Sequence, residues 1–209
     1  IPAFEEIINS PINSRIVEVY KRGGDSVDVG TPILKLDLQS AETEYKKQLD
    51  EEQMKSLQLQ QQRVVNHNKL SEMEMNLKVS RMELDRKAVE LRNERYLDSL
   101  GAGTTDKVRQ VELDYNVSLL KLKEDEQKYT NEQALTEADL KVKELELNIF
   151  RKSLAETKRT LDDAQIRSPR KAILTYVNNE IGSQIGQGAK VAIVSDLSHF
   201  KIEGEIADT

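Results

Sequence analysis

The chain has 209 residues, of which 33% are charged and only 4% aromatic, and it carries a formal net charge of −6. So charged and aromatic-poor a composition excludes a single compact globule with a core of ordinary size, so part of the chain must be extended. The acidic balance and the lack of a Lys/Arg cluster interleaved with aromatics argue against nucleic acid as a partner.

There is no cysteine, which excludes disulfides, thiolate metal sites and Cys nucleophiles. The residues given contain no run of about 18 apolar side chains and no basic segment leading into an apolar one, hence neither a membrane span nor a signal peptide. The first seven residues lead to an Ile-x-Ser-Pro step, Ile8, Ser10 and Pro11. Two β-branched stretches follow, Ile16 to Tyr20 and Ile33 to Leu36, and turns holding Gly23, Gly24 and Gly30 separate them. These read as short strands.

From Ile33 through Ser168 there is no proline, and the glycines of that span are Gly101 and Gly103. The distribution predicts two uninterrupted helices joined by one turn over 100–105. The first helix carries Leu70, Leu77, Leu84 and Leu91 at heptad spacing, with Met73 between, after a shifted pair, Leu57 and Val64. The second carries Val108, Val111, Tyr115, Leu119, Leu122 and Tyr129, then Leu140, Leu147, Leu154 and Leu161. Seven-residue spacing marks a coiled-coil seam, and the slips between blocks read as stutters. A charged, aromatic-poor segment could be disordered instead, but leucine registers on both sides of one Gly turn favour a hairpin. A short turn forces the arms antiparallel. An arm of about 60 residues is about 90 Å long, which predicts a rod on a small β head.

Beyond the second helix the β pattern returns. GSQIGQGAKVAIVSD, 182–196, follows GDSVDVGTPILKLD, 24–37, at a constant offset of 158: Gly24 falls on Gly182, Val27 on Ile185, Gly30 on Gly188 and Ile33 on Val191. Ile8, Ser10 and Pro11 fall on Ile166, Ser168 and Pro169 at the same offset, whereas Ile16, Val17 and Val19 meet Ile173, Leu174 and Val177 only with a one-residue gap. The strands expected here are Ile173 to Val177 and Val191 to Val194, with turns at Gly182, Gly186 and Gly188. Because antiparallel arms bring the chain back to its departure point, the two half-motifs are expected to close one β sandwich. The chain starts without Met and ends in KIEGEIADT, a strand-like segment without a partner, which reads as a piece of a larger protein.

SPINSRIVEVYKRGGDSVDVGTPILKLD resembles the first half of a biotinyl/lipoyl-type domain, and SPRKAILTYVNNEIGSQIGQGAKVAIVSD the second half. A lipoyl-like domain split by a long α-hairpin is the layout of the periplasmic adaptor, or membrane fusion protein, family of tripartite efflux and HlyD-like secretion systems. The resemblance implies an α+β fold: a split lipoyl/biotinyl-like β-sandwich, an inserted antiparallel coiled-coil α-hairpin, and truncated β-barrel segments at the termini. It divides the chain into a strand from the barrel region (1–7), half-motif 1 (8–39), the hairpin (40–162), half-motif 2 (163–198) and the start of the barrel (199–209). FKIEGEIAD and IPAFEEIINS are similar to the segments leading into and out of that barrel. The sequence departs from the family where Gly usually follows Ser-Pro, holding Ser14 and Ala172, which makes the tight turns there less ideal.

The resemblance also implies partners. The family links an inner-membrane transporter, of ABC or resistance-nodulation-division type, to a TolC-like outer-membrane channel, with six copies packed into a ring in the periplasm of a Gram-negative bacterium and anchored to the inner membrane. Arms this long are more similar to adaptors of the macrolide-export ABC type. Channel-docking tips carry an Arg, then Leu, then Ser; Leu97 and Thr104 keep the Leu-to-hydroxyl spacing, while the Arg position is Asn93, flanked by Arg92 and Arg95. The candidate partner-binding residues are therefore Arg92, Arg95, Leu97, Leu100, Gly101, Gly103 and Thr104. Thr104 or Thr105 also suits the cap of the second helix, with Asp106 favoured in its first turn.

Other chemistry is sparse, and the expected role is not enzymatic. A true carrier domain needs a Lys on the turn between its halves; here the hairpin occupies that place, and Lys35 and Lys171 lack the flanking Asp or Met, so no cofactor is expected. A structural coiled-coil spacer is the remaining alternative. His67 and His199 are far apart and read as surface or packing residues, while Met54, Met73, Met75 and Met82 read as core filling rather than a metal site. No Gly-Lys-Ser/Thr phosphate cradle is present.

Overall fold

The computed structural model describes residues 2–200. Seven strands, β1 (Pro2–Asn9), β2 (Ser14–Val19), β3 (Ser26–Val27), β4 (Leu34–Leu36), β5 (Ala172–Val177), β6 (Gln184–Ile185) and β7 (Lys190–Phe200), flank two long helices, α1 (Gln39–Ser99) and α2 (Thr105–Asp163). The expected KIEGEIADT strand, 201–209, lies outside the described residues, as does the side chain of His199. The chain divides into two compact units, one built from residues up to Glu52 and from Ile149 onward, the other spanning Gln53–Asn148.

In the first unit the strands form two antiparallel sheets, ordered β1-β7-β5-β3 and β4-β2-β6. The pairing crosses between the half-motifs: Ser14 on β2 faces Ile185 on β6, and Val27 on β3 faces Ala172 on β5. Ile16, Val27, Ile33, Leu34 and Leu36 from the front share one buried core with Ile166, Leu174, Ile185, Val191 and Val194 from the back. Strand alternation explains the choice, because every second side chain of a strand faces the same way. The front β1 lengthens β7 past the four residues expected for it, with Phe4 opposite Asp196 and Ile8 opposite Ala192.

The repeat is a pseudo-twofold in the hydrogen bonds. Gly24 N donates to Leu174 O at 2.7 Å, and Gly182 N to Ile16 O at 2.8 Å; Ser10 N donates to Ala189 O and Ser168 N to Thr31 O, both at 2.9 Å. Each pair is one bond and its counterpart under the same offset. Gly24 and Gly182 have φ of 97° and 85°, and Gly30 and Gly188 of 78° and 80°, the left-handed region where a Cβ is penalised. The one-residue gap expected between Ile16 and Leu174 is not needed. Ile16 and Leu174 are equivalent and fully buried, while Val17 and Thr175 are equivalent and exposed. Apolar identity misled the alignment, since a solvent-facing Val resembles a core residue in sequence. No residue other than glycine has positive φ among the described residues, so Ser14 and Ala172, the first residues of β2 and β5, occupy backbone that requires no glycine.

In the second unit α1 and α2 run side by side. Their seam buries Leu59, Asn66, Leu77 and Leu91 against Val111, Leu122, Thr136 and Leu147. Leu70, Met73, Leu84, Tyr115, Leu119, Tyr129 and Leu140 are half-buried in the same seam. Leu57 and Val64 are not in it: they are 57% and 60% exposed, and the seam passes through Leu59 and Asn66 instead. The spacing of apolar residues alone chose the wrong face, because the seam admits an Asn. Lys69–Glu132 (2.6 Å), Arg81–Glu126 (2.9 Å), Arg95–Glu112 (2.7 Å) and Arg63–Glu144 bridge the helices. These exposed pairs contribute little stability each, but they mark the register.

Each helix also carries an outward apolar stripe at alternating three- and four-residue steps, with polar interruptions. On α1 it runs through Met54, Leu57, Val64, Met75, Val79, Met82, Val89 and Tyr96, with Leu100 just past the helix end; on α2 through Leu113, Val117, Leu120, Val142, Leu145 and Ile149. These positions lie two residues from inner-seam positions, which at 100° per residue places the stripe about 160° away around the helix. Met54, Met75 and Met82 are therefore exposed rather than core filling, and only Met73 has a place in the inner seam.

Candidate functional site

The turn between the helices is built from the backbone outward. α1 ends because Gly101 adopts φ 72°, which breaks the helical run without a Cβ penalty. The freed Leu97 carbonyl accepts from Ala102 N at 3.0 Å and Gly103 N at 3.2 Å, while Gly101 N donates to Asp98 O at 3.0 Å. Ser99 Oγ donates to Tyr96 O at 2.6 Å. Gly103 is needed for space: a Cβ there would stand 2.9 Å from Asp98 N and 3.2 Å from Leu97 C, both backbone. Thr104 then caps α2, its Oγ1 accepting from Lys107 N at 3.3 Å and its carbonyl from Val108 N at 3.2 Å. Thr105 opens the helix, and Asp106 stands in its first turn, where the N-terminal partial positive charge favours an anion.

These bonds occupy the main chain and leave the side chains outside. Leu97 is 41% exposed and Leu100 62% exposed, too apolar to be left in water without cost. Arg95 is held across the hairpin by Glu112, so it is not a free cation, whereas the exposed Arg92 makes no ion pair with a described residue. Asn93 is exposed on the same last turns of α1. Of the residues singled out from the sequence, Leu97, Leu100 and Arg92 present side chains, while Gly101, Gly103 and Thr104 form the turn that presents them. Tyr96, exposed beside Leu97, was not among them. The signal for it was the outward phase it shares with Val89, seven residues earlier.

Elsewhere the described residues hold no group of three or more His, Cys, Asp or Glu placed to share a metal, and no helix long and apolar enough to cross a membrane. His67 is exposed on α1; Lys35 and Lys171 are exposed at β4 and just before β5. A cleft of about 350 Å³ in the first unit is lined by Tyr20, Leu34, Lys35, Leu38, Glu42, Ile166 and Arg167. Loss of surrounding water, and then the neighbouring Glu18, push the Tyr20 phenol above its usual range.

No family model and no curated protein matches the sequence. Solved structures do match. The periplasmic adaptor protein EmrA is 14% identical with a TM-score of 0.42, over 94% of this chain and 73% of that one. The soluble domain of LipC, a membrane fusion protein of a type I secretion system, is 13% identical with a TM-score of 0.47, over 91% of this chain and 99% of that one. MacA from Actinobacillus actinomycetemcomitans is 13% identical with a TM-score of 0.40, over 94% of this chain and 51% of that one.

Proposed function

We propose that this chain is part of a periplasmic adaptor of the membrane fusion protein family, a non-enzymatic subunit joining an inner-membrane transporter, of ABC or resistance-nodulation-division type, to a TolC-type outer-membrane channel. The observation that carries the reading is the crossed strand pairing of two half-motifs 158 residues apart, with nothing but a helical hairpin between them. That arrangement is what a lipoyl-like sandwich interrupted by a hairpin requires, and it supports the reading taken from the resemblance. On this reading residues 1–7 and 199–209 belong to a barrel domain, and the full-length protein is anchored to the inner membrane of a Gram-negative cell. The outward stripes support a ring of copies, six by the resemblance: a helix with two apolar seams about 160° apart has one face for its own partner and one for a neighbour.

Docking on the channel falls to the turn, where Leu97 and Leu100 offer apolar surface beside Arg92, suited to packing against another protein's helices. Capture of the channel protein by the immobilised adaptor tests it. Leu97→Asp abolishes capture and leaves helicity and melting unchanged, since the Leu97 backbone, not its side chain, makes the turn's hydrogen bonds. Undiminished capture by that variant removes the turn from the docking role.

A further inference from the structure

The hairpin changes phase at one layer. Along α1 the buried and half-buried positions alternate threes and fours as far as Gln62, then take two steps of four through Asn66 to Leu70 before the alternation resumes at Met73; α2 does the same through Glu132, Thr136 and Leu140. Two successive steps of four are a stutter, which unwinds a coiled coil locally. Both helices place it at the same layer, and both place a polar residue at its centre. Asn66, 6% exposed, and Thr136, 7% exposed, are the buried polar residues of the two helices.

The attachment across this layer is weak. Asn66 Nδ2 donates to the Thr136 carbonyl at 3.5 Å, beyond the usual range for such a bond. The remaining bonds stay within each helix: Gln62 Nε2 donates to Asn66 Oδ1 at 2.9 Å, and Thr136 Oγ1 to Gln133 O at 3.0 Å. An open groove of about 650 Å³ lies alongside on the surface of α2, lined by Ala134, Glu137, Ala138, Leu140, Lys141 and Glu144. The ion pairs that bracket the layer, Arg63–Glu144 and Lys69–Glu132, are at least partly exposed and made by long side chains, which adjust to bending without loss of register.

We infer that the Asn66–Thr136 layer is a hinge, at which the part of the hairpin between residues 70 and 132 tilts against the part on the other side. Low apolar contact density at one layer of a uniform rod makes that layer the first to open. The inference does not depend on what the turn binds.

Hydrogen exchange on the 209-residue chain reads the opening directly. Amides at 62–70 and 132–140 exchange about tenfold faster than those at 73–91 and 111–129. Asn66→Leu with Thr136→Leu brings the two sets level. Because the chain has no cysteine, spin labels report the tilt without interference. Leu57→Cys with Lys78→Cys spans the layer, and Glu72→Cys with Asn93→Cys lies beyond it; both separations are about 32 Å along a helix. The first pair gives the broader distance distribution, and the leucine variant narrows it. Equal exchange, equal widths, or faster exchange at the layer in the leucine variant overturns the hinge. The contrast within the unmodified sequence decides the matter even where the leucine variant misfolds.

Discussion

Gly101 and Gly103 serve the same turn for different reasons, and substitution separates them. Gly101 has open space around it but a φ of 72°, so Gly101→Ala carries only the left-handed backbone cost of about 1–2 kcal/mol, reduced in Gly101→Asn. At Gly103 a Cβ meets the Asp98 backbone at 2.9 Å, so Gly103→Ala costs about 1–3 kcal/mol and Asn offers no relief. Urea unfolding followed by helical circular dichroism checks both. A second residue-scale prediction concerns Glu124 and Lys128, paired at 2.5 Å on α2. The hydrogen bond from Lys128, and then its charge, hold the Glu124 carboxyl below the usual carboxylate range; the same bond, and then the Glu124 charge, hold the Lys128 ammonium above the usual lysine range. The Glu124 contribution is therefore complete above the ordinary carboxylate pKa and lost as pH falls through the lowered one. The Lys128 contribution is complete below the ordinary lysine pKa and lost as pH rises through the raised one. Both groups are exposed, so the effect on stability is small; carboxyl chemical shifts report it, and Lys128→Met returns Glu124 toward its ordinary range. At this scale the glycines were legible in the sequence because a left-handed backbone admits few other residues. Tyr96 was not, since exposure at a turn leaves no mark on spacing until the second stripe is recognised.

Two leucines show what the helices add. Leu77 is 6% exposed in the inner seam and Leu57 is 57% exposed on the outward stripe, though both sit in heptad series. Leu77→Ala costs about 2–5 kcal/mol, as for a buried leucine, whereas Leu57→Ala changes stability by no more than about 0.5 kcal/mol. Unfolding in urea distinguishes them, and equal effects would mean that Leu57 lies in the seam after all. The existence of two helices and one turn was plain from Pro and Gly placement, because those residues act locally. The seam's path was less plain. A heptad search counts apolar residues, and here a charged helix carries two apolar stripes and lets Asn66 and Thr136 into the inner one, so the Leu57 and Val64 series is as regular as the true one.

The pseudo-twofold makes its own prediction for the sandwich. Ile16 and Leu174 are equivalent and fully buried in the shared core, so Ile16→Ala and Leu174→Ala each cost about 2–5 kcal/mol and loosen both half-motifs together. Val17→Ala, at the exposed position next to Ile16 on β2, has an effect within about 0.5 kcal/mol. Exchange of the β-sheet amides tests this: protection falls in both halves for either core substitution, and loss confined to one half would contradict a single core. The repeat was visible in the sequence because turns fix glycines and prolines in place. Its strict register was not, because only burial separates a core Ile16 from an exposed Val17.

The crossed pairing also dictates an order of events as the chain is made. Strands β2 and β4 can pair early, but β6 and β5, the partners of β2 and β3 in the late half, follow more than a hundred residues behind, and Ser14 and Val27 have no edge to join until Ile185 and Ala172 arrive. Closing so long a loop at random is slow and entropically costly. Zippering of α1 with α2 from the turn backward shortens that search to a few residues at each end. The helices thus act as the guide that delivers the late half of the sheet to the early one, and a lesion in the zipper delays the strands even where it leaves the finished protein intact.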